Sequence, residues 1–332
     1  MRSLVTGGGG FLGGAIIRAL LARGEAVRSI QRGYYPELIE LGVESIQGDL
    51  CKVDDIDAAA IDCNIIYHVA ALAGIWGDYD KYYQANVVAT KNVINACKKN
   101  NINYLVYTST PSVVFDGSNE EGINESTSYT EYFFNAYQET KAVAEQLILA
   151  SNNAKLKTVA LRPHLIWGPG DRHLVPRVIR RANAGRLRLV GNKKNKVDSC
   201  YIDNAVDAHL LAGDDLQKDE KCAGKAYFIS NDEPITMSDL INKILAVVNL
   251  PPVTKSINER VAYYTGIIFE CVYSLFKIKR EPLMTRFIAM QLSTAHWFDL
   301  TAAKRDLLYK PKISVDEGMK RLKASFDIEK QK

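Results

Sequence analysis

The chain has 332 residues and a formal net charge of +4 at pH 7, and 47% of its residues are hydrophobic. This length allows one large α/β unit or two unequal domains, and the composition is that of an ordinary globular protein. The small net charge and the lack of a long Lys/Arg block argue against nucleic acid as a partner.

The cysteines and the apolar runs indicate the cellular compartment of the protein. Six cysteines are widely spaced, without a Cys-x-x-Cys pair or histidines at metal-ligand intervals, so we predict reduced core thiols and no metal site. The first predicted strand begins at Arg2, which leaves no room for a signal peptide. No uncharged apolar run has the length of a membrane span. These features predict a cytoplasmic protein.

The chain opens with a short apolar strand, 2–6, a glycine cluster and the helical run 11–23. Glycines let backbone N–H groups approach a pyrophosphate, and a helix N-terminus adds unpaired donors and partial positive charge. The order of strand, loop and helix therefore predicts a dinucleotide site. Two glycine registers fit this site, namely Gly8, Gly10 and Gly13 or Gly7, Gly10 and Gly13.

The second predicted strand, 26–31, is followed by Arg32. The end of this strand faces the adenosine ribose in a doubly wound sheet, where NAD-binding proteins usually place Asp or Glu. Here Gln31 stands in place of the acid, and the guanidinium of Arg32 lies where a 2′-phosphate would bind. The sequence therefore favours NADP(H), with NAD(H) as the second choice; a solvated surface arginine is the alternative interpretation.

Strands three and four end in residues suited to a cofactor cavity. After the third strand, 43–47, Asp49 either caps the next helix or binds an adenine amino group. The fourth strand, 65–69, contains His68, which fits a satisfied strand-end histidine better than a catalytic base. It is followed by small residues that let the backbone approach a cofactor, Ala70, Ala71 and Ala73.

An aromatic loop, 75–83, contains Trp76 and Tyr79. Aromatic side chains at the carboxyl end of a strand predict a hydrophobic substrate lid, and a satellite packing cluster is the alternative. The helix that follows is predicted at 85–99, with Asn86 in its first turn.

The fifth strand, 104–110, ends in hydroxyl side chains at the edge where open α/β sheets bind ligands. A later helix holds Tyr137 and Lys141, which lie four residues apart and therefore on one helix face. A nearby ammonium favours the phenolate, whereas a free tyrosine has a pKa of about 10. The pair therefore predicts acid–base chemistry beside the dinucleotide site.

Together these motifs resemble the extended short-chain dehydrogenase/reductases over essentially the whole chain. The matching segments follow the family order: 6–13, 49–50, 68–71, 86–90, 108–110, Tyr137 with Lys141, 161–163, 168–171 and 201–205. The resemblance implies an NAD(P)-dependent oxidoreductase of the α/β class. Its fold would be a Rossmann doubly wound parallel sheet with helices on both faces and a smaller, mainly helical C-terminal substrate domain.

The resemblance also implies roles for individual residues. The general acid/base would be Tyr137, the lysine that binds the nicotinamide ribose and lowers the tyrosine pKa would be Lys141, and Asn86 would support a proton relay. Thr110 would polarise the carbonyl, with Ser109 as the alternative hydroxyl. The glycine register becomes the one that starts at Gly7. The full cofactor set would be Gly7, Gly10, Phe11, Leu12, Gly13, Arg32, Asp49, Leu50, Ala70, Ala71, Ala73, Tyr137, Lys141 and Pro163.

Within the family, the chain resembles the 3β-hydroxysteroid dehydrogenase-like branch and, inside it, bacterial 2-alkyl-3-oxoalkanoate reductases of long-chain olefin biosynthesis. The segments concerned are 73–80, 108–113, 165–171, 196–198, 226–231 and 294–297. This implies NADPH-dependent reduction of a β-keto acid with two long alkyl chains. The candidate substrate residues are Trp76, Tyr79, Ser112, His164 and Trp167.

Three other functions stay open at this point. A 3β-hydroxysteroid or sterol-4-carboxylate dehydrogenase would share the catalytic residues but prefer NAD, which Gln31 argues against. A nucleotide-sugar epimerase or dehydratase would fit the fold, but the aromatic loop favours a lipid-like ligand. A non-catalytic NADP-binding scaffold would not need both Tyr137 and Lys141.

The remaining segments predict the domain organisation. We place the dinucleotide domain at 1–165, with 195–230 partly returning to it, and the substrate region at 166–332. Within 195–230, the segment 197–201 is predicted to rejoin the sheet. After the sixth strand, a basic helix follows, and a substrate carboxylate could find a counter-charge in Arg172, His173 or Arg177.

Residues 261–280 combine an apolar run with a basic end. This pattern predicts an amphipathic helix that covers the substrate or contacts a membrane surface or a pathway enzyme, and an ordinary core helix is the alternative. A homodimer is a further possible assembly.

Overall fold

The structure of the protein is a computed structural model that describes residues 1–331, with side chains to residue 328. The strands are β1 (Arg2–Thr6), β2 (Ala26–Gln31), β3 (Glu44–Gln47), β4 (Ile65–His68), β5 (Tyr104–Thr108), β6 (Glu120–Ile123), β7 (Lys157–Pro163), β8 (Ile166–Trp167), β9 (Leu189–Val190), β10 (Lys196–Val197), β11 (Cys200–Tyr201), β12 (Lys225–Ile229), β13 (Ile235–Thr236), β14 (Ser256–Ile257) and β15 (His296–Phe298).

Helices alternate with these strands along most of the chain. They are α1 (Phe11–Ala22), α2 (Pro36–Glu40), α3 (Val53–Ala60), α4 (Tyr79–Tyr82), α5 (Ala89–Lys99), α6 (Ala136–Ala150), α7 (Leu174–Asn183), α8 (Ile202–Lys218), α9 (Met237–Val247), α10 (Glu259–Leu275), α11 (Arg286–Ser293), α12 (Thr301–Asp306) and α13 (Val315–Gln331). A π-helix, Tyr83–Val88, joins α4 to α5, and a 3₁₀ helix, Pro111–Val113, follows β5.

Seven parallel strands form the main sheet in the order β12-β7-β5-β4-β1-β2-β3. The strand order runs outward from β1 in both directions, because β1 pairs with β2 on one side and with β4 on the other. In a doubly wound sheet such a change of direction opens a crevice at the carboxyl ends of the strands. The Rossmann fold that the sequence predicts is therefore confirmed.

Helices cover both faces of this sheet. Ile16 and Ile17 of α1 pack with residues of α8 on one face, whereas Val93 of α5 and Ile148 of α6 pack on the other. Because both faces are covered, the strands are apolar throughout rather than alternating, as in Leu4, Val5, Ile65 and Ile66, all fully buried.

Smaller sheets carry the second half of the chain. Strands β13, β10, β15 and β6 form one sheet, and two further pairs are β11 with β8 and β14 with β9. The prediction that 197–201 rejoins the main sheet is wrong, because Val197 pairs with Ile235 and His296, and Cys200 pairs with Ile166. The main sheet is completed by β12, which pairs with β7. The two-domain boundary stays a prediction.

Two other expectations change. Cys271 is exposed and Cys51 is partly exposed, so the prediction of core thiols holds only for the remaining four cysteines. Asn86 lies inside the π-helix Tyr83–Val88 and not in the first turn of α5. Among residues 1–331, none of the helices combines the length and the apolar character that crossing a membrane requires.

Candidate active site

A cavity of about 1310 Å³ opens at the carboxyl ends of the main-sheet strands. Every residue predicted to bind the cofactor lines it, and so does Thr110. A second cavity, of about 1150 Å³, lies between α10, α11 and β15, and none of the predicted site residues lines it. The first cavity is therefore the candidate site.

The glycine loop after β1 leaves no room for side chains. A Cβ on Gly13 would lie 2.4 Å from the carbonyl oxygen of Gly7, whose φ of +73° itself favours glycine. The contact explains the glycine at position 13, which both predicted registers share, and the positive φ explains Gly7. Gly8 and Gly9 are needed as well, because a Cβ there would lie 2.1 Å from Ser29 and 2.2 Å from the Tyr35 ring.

Helix α1 begins directly after this loop. Its N-cap residue is Gly10, and no side chain accepts a hydrogen bond from the first turn. The first-turn N–H groups therefore remain available to an anion at the positive end of the helix. This glycine cradle and the uncapped helix fit the pyrophosphate of a dinucleotide.

A buried polar chain fixes the loop after β4 against β1. Thr6 Oγ1 accepts hydrogen bonds from the backbone N–H groups of Val69 and Ala70, each at 3.1 Å. The two ring nitrogens of His68 lie 2.9 Å from the hydroxyls of Thr6 and Thr90. Burial lowers the pKa of His68 to about 3, so this imidazole is neutral and acts as a structural link.

The rim of the cavity carries the residues predicted to choose the cofactor. The Gln31 amide is engaged inside the sheet, since its oxygen accepts from Ser29 Oγ at 2.6 Å and its nitrogen donates to Ser45 Oγ at 2.8 Å. Arg32 is exposed at the rim. Asp49 does not cap α3, whose N-cap is Lys52; its side chain accepts from the nearby Cys51 N–H instead.

Tyr137 lies in the first turn of α6 and faces the cavity. Desolvation raises the pKa of Tyr137, and a hydrogen bond with Thr110 opposes this. Thr110 also accepts from the Ser112 N–H at 3.2 Å, which fixes it at the start of the 3₁₀ helix. The Oγ of Ser109 has no hydrogen-bond partner among the described residues. Tyr137, Ser109 and Thr110 all line the cavity, so both hydroxyls stay candidates for holding a carbonyl.

Lys141 is only 2% exposed. Its Nζ donates to the Thr108 carbonyl at 2.7 Å and lies 4.1 Å from the centre of the Tyr107 ring. Burial lowers the pKa of Lys141 to about 7, and Glu145 opposes this. The net pKa of Tyr137 is raised because desolvation of the phenol is the largest effect, and the prediction that Lys141 lowers this pKa stays a prediction.

Asn86 is buried beside the cavity and does not line it. Its Oδ1 accepts from the Leu72 N–H at 2.8 Å, and its Nδ2 donates to the Leu72 carbonyl at 3.2 Å and to Thr140 Oγ1 at 3.0 Å. Asn86 therefore ties the loop after β4 to the helix that carries Tyr137.

The five candidate substrate residues do not line the cavity. Trp76 Nε1 donates to the Ile278 carbonyl at 3.1 Å, and Tyr79 donates to Glu139 at 2.9 Å. Trp167 is fully buried and donates to Ser199 Oγ at 3.0 Å.

The other two candidate substrate residues, Ser112 and His164, also contact protein side chains. Ser112 accepts a hydrogen bond from Thr110 at 3.1 Å. The ring of His164 lies 5.8 Å from that of His296, and burial lowers the pKa of His164. Their contact with substrate stays a prediction.

Several cavity residues escaped the sequence analysis, among them Tyr35, Lys81, Leu165 and Ile166. The position of Leu165 two residues after Pro163, beyond the end of a buried strand, is the signal that could have found it. Of the basic residues after β8, His173 lines the cavity, Arg172 is exposed and Arg177 pairs with Glu281 at 3.1 Å.

Comparison with known proteins matches residues 4–255 to the 3-beta hydroxysteroid dehydrogenase/isomerase family. A 2-alkyl-3-oxoalkanoate reductase from Shewanella oneidensis is 53% identical over 98% of this chain and 86% of its own length. A human sterol-4-alpha-carboxylate 3-dehydrogenase, decarboxylating, is 34% identical over 98% of this chain and 88% of its own. The structure of MoeE5 in complex with UDP-glucose and NAD superposes with a TM-score of 0.77 at 21% identity, over 99% of both chains.

Proposed function

Because the chain belongs to the 3-beta hydroxysteroid dehydrogenase/isomerase family and is an NAD(P)-dependent oxidoreductase, we propose that it reduces the 3-oxo group of a bulky apolar substrate with NADPH. The substrate class that we propose is a 2-alkyl-3-oxoalkanoate, which becomes a 2-alkyl-3-hydroxyalkanoate. The observation that carries the proposal is that Tyr137, Lys141 and Thr110 line the same cavity as the glycine loop. The 53% identity to a reductase of that name supports the substrate class.

The residues of the cavity provide a proton and hold the carbonyl. When bound, the nicotinamide supplies the hydride that the carbonyl carbon receives. Tyr137 donates its phenolic proton to the carbonyl oxygen, and its raised pKa keeps that proton in place at neutral pH. Thr110 orients both the phenol and the oxygen. The ammonium of Lys141 then stabilises the phenolate that remains.

Arg32 is the residue that we propose to select NADP(H). Arg32→Ala should weaken NADPH binding by roughly 10- to 100-fold, since hydrogen bonds to charged groups contribute about 1.5–3 kcal/mol. The affinity for NADH should stay within about twofold, because that cofactor has no 2′-phosphate. Titration of the protein with both cofactors measures this. Equal affinities for the two cofactors in the wild-type protein and the variant would contradict it.

The function is tested by following NADPH and NADH consumption with a 2-alkyl-3-oxo acid and a 3-ketosteroid in parallel. We expect consumption of NADPH with the oxo acid, and its near-complete loss in Tyr137→Phe with NADPH binding retained. Turnover of the ketosteroid alone would instead favour a sterol dehydrogenase, the candidate that the 34% identity to the human enzyme supports. A Tyr137→Phe variant with most of its kcat would refute the role of Tyr137.

We also propose that residues 261–280 contact a membrane surface or another protein. An apolar stripe along α10 is exposed, and it comprises Val261, Tyr264, Ile268, Val272 and Leu275. Lys277, Lys279 and Arg280 follow it. An apolar stripe with cations at its end supports such a contact.

A further inference from the structure

Leu165 has a backbone conformation that leucine rarely adopts. Its φ is +44°, in the left-handed region, where the Cβ approaches the following carbonyl oxygen. Within residues 1–331, most other non-glycine residues with positive φ directly follow a helix C-cap, where a left-handed residue ends a helix: Asp62, Asn101, Glu220, Asn249, Lys277 and Leu308. Leu165 instead lies between two strands and lines the cavity.

Hydrogen bonds on both sides hold this conformation. The His164 N–H donates to the Ile229 carbonyl at 3.1 Å, and the Leu165 carbonyl accepts from the Cys200 N–H at 3.3 Å. Residue 165 is thus the point at which the chain leaves the main sheet and enters the β8–β11 pair. Glycine or asparagine would adopt this left-handed conformation with less strain. The leucine side chain therefore needs its own explanation.

Leu165 lines the same cavity as Tyr137 and Thr110, and the strand register places it on the side of the cavity where the reaction is proposed. Strand β7 pairs with β5 in parallel register, with Thr108 opposite Leu161. The residues after β7 therefore emerge beside those after β5, where Thr110 lies. Leu165 is half-buried against the main apolar core and shares the cavity wall with Tyr137 and Lys141.

We propose that Leu165 determines substrate specificity. Its branched side chain, held into the cavity by a strained backbone, provides an apolar surface for the alkyl branch next to the reacting carbonyl. Strained residues persist at functional sites when the surrounding structure fixes them, as the two hydrogen bonds do here. The inference rests on the proposed function, because it assumes a 3-oxo substrate with an alkyl chain at C2.

The test compares Leu165→Asn and Leu165→Gly with the wild-type protein on two substrates, a 3-oxo acid with a 2-alkyl chain and the same acid without it. Both variants should fold with a Tm within about 5 °C of the wild type, because relief of the backbone strain offsets part of the lost apolar packing, and should keep an NADPH Kd within about twofold. Their kcat/KM for the branched acid should fall at least about tenfold, as expected for loss of an apolar contact. The unbranched acid should be affected much less. Leu165→Met, which keeps an apolar side chain of similar length, should retain the preference.

Leu308→Asn is the matched control, because Leu308 is also left-handed but 75% exposed after α12. It should raise the Tm, because it relieves the strain of an exposed side chain without loss of buried surface, and it should leave both activities unchanged. Unchanged discrimination in the Asn and Gly variants of Leu165, or equal losses in the Met variant, would overturn the inference while the proposed function stands. If the wild-type protein reduced neither acid, both proposals would fall.

Discussion

Lys141 is a cation almost completely removed from water. The Thr108 carbonyl and the Tyr107 ring replace part of its hydration, at 2.7 Å and at 4.1 Å from the ring centre. They do not replace all of it, since burial lowers the pKa of Lys141 from 10.5 to about 7. A buried lysine with such a pKa would exchange its proton within the physiological range. Functional sites are where such pKa shifts are concentrated.

This pKa predicts how the reduction should depend on pH. Below about pH 7 Lys141 is charged and stabilises the phenolate of Tyr137, and above it the charge is lost. The value of kcat/KM should therefore fall as the pH rises through 7, whereas Tyr137, whose pKa is raised, stays protonated. Steady-state rates of NADPH consumption between pH 5.5 and 9, on the order of ten points, measure the profile.

Lys141→Arg is the control for this profile, because a guanidinium keeps its charge at every pH in that range. If the variant is active, its descending limb should move to higher pH. A limb at the same pH in both proteins would contradict the role given to Lys141.

At the scale of elements, the π-helix Tyr83–Val88 decides where Asn86 points. A π-turn inserts an extra residue into a helix and rotates the following side chains relative to an α-helix. Here the Asn86 amide reaches both Leu72 and Thr140. Hydrophobic periodicity cannot reveal a single inserted residue, so the sequence predicted one regular helix at 85–99. Asn86 holds the cavity wall in place whether or not it also relays protons.

Helix α10 presents two apolar surfaces with different neighbours. Its buried side fits closely against the start of α11, because a Cβ on Gly266 would lie 2.6 Å from the Arg286 nitrogen. The ring centre of half-buried Phe269 lies 6.3 Å from that of Tyr273. The Tyr273 ring in turn packs edge-on against Trp76, with 6.1 Å between the ring centres. This contact joins α10 to the aromatic loop that leads to the cavity residue Lys81. The exposed stripe with Ile268 faces away from these partners.

We expect α10 to cover long alkyl chains through its half-buried surface. Phe269→Glu should lower kcat/KM for a long-chain 3-oxo acid by at least about tenfold, because it places a charge where apolar chains would pack. A short-chain acid should be reduced within about twofold of the wild-type rate. Competition assays with acids of increasing length measure the effect.

Ile268→Glu is the control, since Ile268 is 60% exposed on the same helix. It should leave the rates for both acids unchanged. Equal losses for short and long acids in Phe269→Glu would reject the covering role of α10.

For the whole molecule, the sequence predicted what short-range patterns specify. The predicted bounds of strand β2 are the observed ones. The glycine loop and the Tyr137–Lys141 pair, which the sequence predicts to lie side by side, line one cavity. What it missed depends on long-range partners. Val197 pairs with β13 and β15, which lie far away in sequence, and Trp167 turns inward because Ser199 and Tyr201 lie beside it. The local sequence pattern around such a residue does not show which distant strand or side chain it will contact.

The buried ion pair between Arg162 of β7 and Glu145 of α6 links the main sheet to the helix that carries Tyr137. Arg162 Nη2 lies 2.6 Å from Glu145 Oε1, which also accepts from the Tyr129 hydroxyl at 2.7 Å, and both charged side chains are almost inaccessible to solvent. Arg162→Met should lower the free energy of unfolding by about 3–5 kcal/mol, because it leaves a carboxylate buried without a counter-charge. The double variant Arg162→Met/Glu145→Leu should recover most of that loss.

Urea unfolding of the wild-type protein and the three variants, with Glu145→Leu as the third, measures the coupling between Arg162 and Glu145. A loss below about 1 kcal/mol in Arg162→Met would mean that water or a rearranged neighbour replaces the guanidinium, and that other contacts hold α6 against the main sheet.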